Sequence, residues 1–191
     1  MRLLFLFAFL AIVSPVPSLH AQETPQPDNN PARGSLIEDR AARKLVEAGD
    51  ARFEADEANK AVEVWESVIE RYPTSRVRFL AHMRLGRYFL ERDRSFEKAR
   101  VHYELIASEE NHDEDQRAEA TLKMGVCFYE ARNFGKCFQV MRDVIEKFPV
   151  SEHVNEAYYY IGLGHFQLGH YSRAIAALEK VGTAMSAEDS Q

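Results

Sequence analysis

Apolar positions recur along the chain with helical spacing, and the spacing restarts four times. Gly49, Gly86, Gly125 and Gly162 follow one another at intervals of 37, 39 and 37 residues, each in a run with helical periodicity, where glycine is about 1 kcal/mol less favourable than alanine. After each glycine come a small residue and then two large apolar residues, four and seven positions further on. The small residues are Ala61, Ala99, Cys137 and Ala174, and the larger ones are Trp65, Tyr103, Met141 and Leu178, then Val68, Ile106, Val144 and Val181. The pattern predicts four pairs of antiparallel helices whose backbones approach at the small residues.

Turn signals separate the predicted helices. The phrases at 69–75 (IERYPTS) and 145–151 (IEKFPVS) are nearly identical, so Pro73 and Pro149 are predicted to close the second helix of a pair, and Ser75 and Ser151 to cap the next one. Asn133-Phe134 and His170-Tyr171 mark turns within pairs. In the second pair the turn after Glu91 is one residue longer and the closing proline is missing. The second repeat is therefore predicted to be the least regular.

These residues resemble the tetratricopeptide repeat family. Leu85-Gly86, Phe89, Ala99 and Tyr103 match its signature, and so do Ile161-Gly162, Tyr171, Ala174 and Leu178. The resemblance covers repeats at about 42–75, 79–112, 118–151 and 155–181, and it implies an all-α, right-handed superhelical solenoid of four helix-turn-helix repeats. The Tyr/Phe-Pro-x-Ser phrase and the 37-residue spacing are similar to a subgroup of bacterial envelope proteins, which includes the outer-membrane assembly lipoprotein and the Tol-Pal accessory protein.

The chain departs from both members of that subgroup. It has no cysteine directly after an amino-terminal apolar run, where a lipid would be attached, and it has no heptad segment before the repeats. Only the fold and the envelope setting are therefore expected to carry over.

The family resemblance implies a concave binding groove formed by the first helix of each pair. Its positions lie three before, one after and four after the repeat glycine. They hold Val46, Asp50 and Phe53; Met83, Arg87 and Leu90; Leu122, Val126 and Tyr129; and Tyr159, Leu163 and Phe166. The set is unusually apolar and aromatic, which favours a groove for a peptide or partner protein. The alternative is that individual members face neighbouring helices. The carboxylate clamp of chaperone-binding relatives is not supported, because its lysine and asparagine are replaced here by Val46, Asp50 and Glu119.

The amino terminus has the layout of a secretory signal peptide. Arg2 precedes an apolar stretch at 3–13, two prolines and a small residue at Ala21. We expect residues 1–21 to be removed, with cleavage after Ser18 as the nearest alternative, and the protein to be exported to the periplasm or secreted. A short membrane anchor is the other interpretation, but eleven apolar residues are fewer than the ~20 of a spanning helix.

The remaining boundaries follow from composition. Residues 22–34 contain three prolines among polar residues and are predicted to form a flexible linker. Ser35 and Glu38 have the spacing of a capping box, which predicts the start of the folded region, 35–181. Residues 182–191 are small and polar and are predicted to be a disordered tail.

Charge and composition exclude several classes of protein. The formal net charge is −6, and loss of Arg2 with the signal peptide would make it −7, so nucleic acid is not expected as a partner. The chain is 46% apolar and 28% charged, which excludes a disordered protein. No stable membrane span is expected after signal cleavage.

No catalytic, cofactor or metal site is predicted. The seven histidines do not converge on a metal-binding spacing, and no nucleophile elbow or phosphate loop is present. The five acids between Glu109 and Asp115 lack the glycine of a calcium loop, so we predict a solvated, flexible connector there. Cys127 and Cys137 lie on the two helices of one repeat; two buried free thiols are favoured, although an oxidising compartment would permit a disulfide.

The sequence therefore predicts an exported, non-enzymatic interaction module that holds a peptide or partner protein in its concave groove, in cell-envelope organisation. The alternative is an oligomerising subunit of a larger envelope assembly, because no further helix covers Ile175 and Leu178 in the last repeat. A regulatory subunit of an enzyme is the third hypothesis.

Overall fold

The computed structural model describes residues 31–183, with side chains from Ser35 onward, and this part of the chain is all-α. Its helices are α1 (Pro31–Glu54), α2 (Ala58–Arg71), α3 (Arg78–Glu91), α4 (Phe96–Ala107), α5 (Glu114–Glu130), α6 (Phe134–Lys147), α7 (His153–Gln167) and α8 (Tyr171–Leu178). Each helix packs mainly on its neighbours in the chain, and α1 also contacts α3, as α5 contacts α7. The fold is a solenoid of four helix pairs, as the repeat pattern predicts. The predicted signal peptide and most of the tail lie outside the described residues.

The first helix begins earlier than the sequence predicts. α1 starts at Pro31, so Ser35 lies within the helix and the capping-box prediction is wrong. The last four residues of the predicted linker are thus helical, and α1 is longer than the first helices of the other pairs.

Each repeat glycine makes room for the large residue of its own partner helix. A Cβ atom placed at Gly49 would overlap Nε1 of Trp65, and one at Gly86 would lie 2.8 Å from the ring of Tyr103. A Cβ atom at Gly125 would lie 2.6 Å from the terminal methyl group of Met141, and one at Gly162 would lie 2.6 Å from the side chain of Leu178. The four glycines stand inside helices because a large side chain of the partner helix fills the space that a Cβ atom would need.

The glycine contacts predict unequal effects of the same substitution. Gly86→Ala should lower the free energy of unfolding by about 1.5 kcal/mol, since Tyr103 is 1% exposed and overpacking outweighs the gain in helix propensity. Gly125→Ala should change it by less than about 0.5 kcal/mol, because the far end of a flexible methionine can move aside. Urea unfolding followed by circular dichroism measures both; equal effects of the two variants would contradict this explanation.

The turns inside the pairs share a left-handed residue. Asp56, Arg94 and Arg132 have positive φ values of 61°, 58° and 57°, and Gly169 takes the corresponding place in the last pair with φ 73°. Three residues separate α1 from α2, α5 from α6 and α7 from α8, whereas four separate α3 from α4. The predicted extra residue after Glu91 is confirmed. Only the last pair uses the residue type that adopts this conformation without strain.

The connections between pairs are built in two ways. α2 ends at Arg71 and α6 at Lys147, two residues before Pro73 and Pro149, so the predicted role of the prolines is confirmed. Oγ of Ser75 accepts a hydrogen bond from the N–H of Val77 at 3.1 Å. Ser151 does the same for His153 at 3.3 Å. The two serines stabilise the turn before the next helix, but they are not its N-caps as predicted, because α3 is preceded by Val77 and α7 by Glu152.

The acidic connector at 109–115 replaces the proline phrase with a buried asparagine. Asn111 is 3% exposed; its side-chain amide donates to the carbonyl of Ile106 at 3.2 Å, and its Oδ1 accepts from the N–H of Asp113 at 3.2 Å. Asp113 in turn caps α5 by accepting from the N–H of Gln116 at 3.0 Å. The five acidic residues are exposed as predicted, but Asn111 fastens the connector that the sequence predicts to be flexible.

Candidate partner-binding surface

Twelve residues are predicted to line the concave groove. Val46 is 1% exposed and belongs to the core of the first two repeats, so the prediction is wrong for this residue, and Asp50 is partly exposed. The other ten fall into three groups by burial. Arg87, Tyr159 and Phe166 are exposed, and Phe53, Tyr129 and Leu163 are partly exposed. The other four are buried, with Met83 at 7%, Leu90 at 6%, Leu122 at 0% and Val126 at 6%. The prediction that these four form an exposed groove is wrong, because they belong to one core cluster that also contains buried residues of α4 and α6.

Position in the array explains the difference in burial. Three residues before the glycine, Met83 and Leu122 are covered, whereas Tyr159 at the same register is 45% exposed. Four residues after the glycine, Leu90 is covered and Phe166 is 57% exposed. Both exposed residues belong to the last repeat, which no further repeat covers among the described residues. These registers are therefore contacts between successive repeats, and they become surface at the end of the array.

An open pocket remains on the predicted groove between α1 and α3. Its volume is about 220 Å³, and Phe53 and Arg87 line it together with Trp65, Arg84 and Tyr88. The ring of Phe53 lies 5.7 Å from that of Trp65 and 6.5 Å, edge to face, from that of Tyr88. The pocket thus combines aromatic side chains with a guanidinium group, the residue types that carry most binding energy at protein interfaces.

The floor of the α1–α3 pocket is fixed by a charged network. Arg84 donates to both carboxylate oxygens of Asp50, from Nε at 2.9 Å and from Nη2 at 3.1 Å. Trp65 donates from Nε1 to the same carboxylate at 3.1 Å. Such two-pronged arginine–carboxylate bonds hold both groups in one orientation. Asp50, a predicted groove residue, is therefore a structural link between the first two repeats.

The mouth of the α1–α3 pocket carries free charges. Arg87 and Arg92 are exposed, and neither forms an ion pair with another described side chain. The guanidinium carbon of Arg92 lies 5.5 Å from the centroid of the Phe53 ring. The exposed carboxylates Glu54 and Glu91 also border the opening. Carboxylate or carbonyl groups of a peptide could bind the two arginines without breaking an existing pair.

Tyr129 has a mixed position. Its ring lies 5.3 Å from that of Tyr160 and 5.7 Å from that of Phe134. It packs against the core cluster that contains Leu122 and Val126, so replacing it would disturb packing as well as any ligand. The sequence pattern could not distinguish this side chain from Phe166, which projects from the same register in the last repeat.

Both cysteines are buried free thiols, as the sequence favours. Burial raises the pKa of Cys127 and of Cys137 to about 12, so neither is an activated nucleophile. Within the described residues, no group of three or more histidine, cysteine or acidic side chains could hold a metal ion. None of the helices in this described part of the chain has both the length and the apolarity to cross a bilayer.

Comparison with known sequences supports the repeat assignment. The profile of the tetratricopeptide repeat family matches residues 45–75, 119–151 and 156–183. The profile does not match α3 and α4, in agreement with the prediction that the second repeat is the least regular. No curated protein sequence matches the chain.

Comparison with solved structures supports the fold. The chain is similar to MamA 41-end from Desulfovibrio magneticus RS-1, with 19% identity, a TM-score of 0.59, and coverage of 78% of this chain and 77% of that one. It is also similar to the MamA RS-1 ArsTM double mutant, with 18% identity, a TM-score of 0.58, and coverage of 73% and 72%. At these identities the likeness concerns the fold alone. The chain therefore contains repeats of the tetratricopeptide family, and its eight described helices form the corresponding all-α solenoid.

Proposed function

We propose that the protein is an exported scaffold that binds a peptide or partner protein on the concave side of its solenoid, in the organisation of the cell envelope. The observation that carries the proposal is the α1–α3 pocket, where Phe53, Arg87 and Arg92 are presented above a fixed floor. Tetratricopeptide repeats stack helix pairs into an extended surface of the kind that binds other proteins. That architecture supports a binding role.

Export and the envelope setting rest on the amino-terminal sequence. The charged residue, the apolar stretch and the small residue at Ala21 are the parts of a secretory signal. Fractionation of cells that express the full chain tests this step separately from binding. Recovery of the uncleaved chain in the cytoplasm would contradict it.

Charge reversal at the pocket mouth tests the binding surface. Arg87→Glu with Arg92→Glu should weaken binding of the captured partner at least tenfold, because both guanidinium groups are exposed and free to pair. The melting temperature should stay unchanged. Partner capture from the native host, identification by mass spectrometry and titration of the purified pair give the dissociation constant.

The matched control reverses two exposed arginines on α1, with Arg40→Glu and Arg43→Glu. It changes the net charge equally but lies away from the pocket lining. Equal loss of binding in both double variants would assign the effect to net charge and contradict the proposed surface.

The uncovered end of the array favours a second candidate, an oligomerising subunit. Phe166, Tyr171 and Ile175 are 57%, 61% and 58% exposed on α7 and α8. A Cβ atom placed at Gly162 would overlap the side chain of Leu178, so the two helices of the last pair pack as in the other pairs. Among the described residues, no further repeat covers this pair. Terminal repeats of solenoids normally carry a polar outer face.

Self-association is tested by sedimentation. If the end of the array is an oligomer interface, the full chain should show a concentration-dependent rise in sedimentation coefficient, and Ile175→Lys should abolish it. Glu66→Lys, an exposed position on α2, is the control. A monomer at all concentrations would remove this candidate and leave the scaffold proposal intact.

A further inference from the structure

A second recess lies at the junction of α6, α7 and α8. Its volume is about 400 Å³, within the range of small-ligand and peptide side-chain pockets. On α7 it is lined by Tyr158, Ile161 and His165. The predicted groove residues of α7 are Tyr159, Leu163 and Phe166, which at 100° per residue point to a different side of the helix. The recess is therefore separate from the surface of the proposed function.

The floor of this recess is apolar. Ile145 from α6, Ile161 from α7 and Ala177 from α8 contribute to it. The ring of His165 stacks on that of Phe138 with centroids 4.2 Å apart, and its Nδ1 is buried with no hydrogen-bond partner among the described residues. Burial, followed by the nearby charges of Arg173 and His170, lowers the pKa of His165. A neutral aromatic ring thus extends the apolar floor.

The rim of the recess is cationic. Arg142, Arg173 and Lys180 are exposed, and none of them forms an ion pair with a carboxylate of the described chain. The ammonium of Lys180 lies 5.4 Å from the centroid of the Tyr158 ring. Glu146 is the one carboxylate in the lining, so the rim carries an excess of two positive charges in a chain whose net charge is −6.

Apolar floor and cationic rim together specify the ligand. We propose that this recess, the Arg142–Arg173 groove, binds an acidic peptide segment of a partner protein, with an apolar side chain on the floor and carboxylates on the three cations. Anionic lipid headgroups share the charge but not the shape, because the groove is recessed between helices and the acidic protein as a whole would be repelled from an anionic bilayer. Binding here is additional to binding at the concave surface.

The probe is a fluorescein-labelled amphipathic 14-residue peptide of leucine and glutamate, titrated into the full chain and followed by anisotropy. We expect the glutamate peptide to bind, and we expect Arg142→Gln with Arg173→Gln to raise its dissociation constant at least tenfold. Replacing its glutamates by lysine should abolish binding. Arg40→Gln with Arg43→Gln, two exposed arginines on α1 away from this groove, should bind as the unaltered chain does.

Further variants and outcomes separate the alternatives. Ala176→Glu, at an exposed position in the lining of the groove, should weaken binding of the glutamate peptide and leave the melting temperature of the protein unchanged. A dissociation constant above about 1 mM for the unaltered chain, or equal loss in the Arg40/Arg43 control, would overturn the proposal. It would also be overturned if Arg142→Gln with Arg173→Gln abolished co-sedimentation with phosphatidylglycerol vesicles, or self-association, but left peptide binding unchanged.

Discussion

Trp65→Ala should lower the free energy of unfolding by about 4 kcal/mol, the range measured when a fully buried large aromatic side chain is removed. Trp65 is 2% exposed and fills the space that Gly49 leaves open. It also donates a hydrogen bond to Asp50, which holds Arg84 of the next pair. The substitution therefore removes packing inside the first repeat and disturbs the link to the second.

Urea unfolding followed by circular dichroism measures the effect, since Trp65 is the single tryptophan of the chain and its fluorescence is lost in the variant. Val101→Ala on α4 is the control. The side chain of Val101 is 46% exposed, so this substitution should lower the free energy of unfolding by less than about 0.5 kcal/mol. Similar losses for both variants would mean that Trp65 does not organise the first two repeats.

Acidification from pH 7.5 to pH 4 should destabilise the protein by about 3 kcal/mol through a histidine pair in the second repeat, in which His82 is buried and His102 is partly buried. Nδ1 of His82 and Nδ1 of His102 lie 2.9 Å apart, so one ring donates and the other must remain an unprotonated acceptor. Burial first, then the charges of His102 and Arg78, lowers the pKa of His82 to about 4. Burial also lowers the pKa of His102.

The sign follows from proton uptake. In the unfolded chain both rings bind protons below about pH 6.5, whereas in the folded chain His82 binds one only near pH 4. The unfolded state therefore gains protons first, and stability is lost as the pH falls from about 6.5 towards 4. Above that window the pair leaves stability independent of pH.

Denaturant midpoints measured across this pH range test the pair. The double variant His82→Phe with His102→Phe should flatten the profile between pH 6.5 and 4, since an aromatic ring replaces each histidine without titrating. His112→Gln, at an exposed connector position, should leave the profile unchanged. A double variant that keeps the full loss of stability in this pH range would contradict the assignment to the histidine pair.

The repeat register was predictable from the sequence because it depends on close contacts within one helix pair. Gly86 and Tyr103 are seventeen residues apart and have to fit together for the pair to close, so both are constrained as residue types. The extra residue between α3 and α4 also followed from spacing alone. Local geometry sufficed for these features.

The binding surface was harder to predict because exposure depends on the neighbouring repeat. Leu122 and Tyr159 have the same register, yet the first is fully buried and the second is 45% exposed. Periodicity describes one helix at a time and cannot say what covers it. The Arg142–Arg173 groove was missed for a related reason, since it forms only when α6, α7 and α8 are brought together.

Site-specific photocrosslinking in the native host tests the central claim, that a partner protein binds the concave side of the solenoid. A photoreactive residue at Arg87 or Arg92 should capture the same partner protein, and one at Glu66 on α2 or Glu104 on α4, which do not line the α1–α3 pocket, should not capture it. No protein captured at Arg87 and Arg92, or equal capture at Glu66 and Glu104, would contradict the claim.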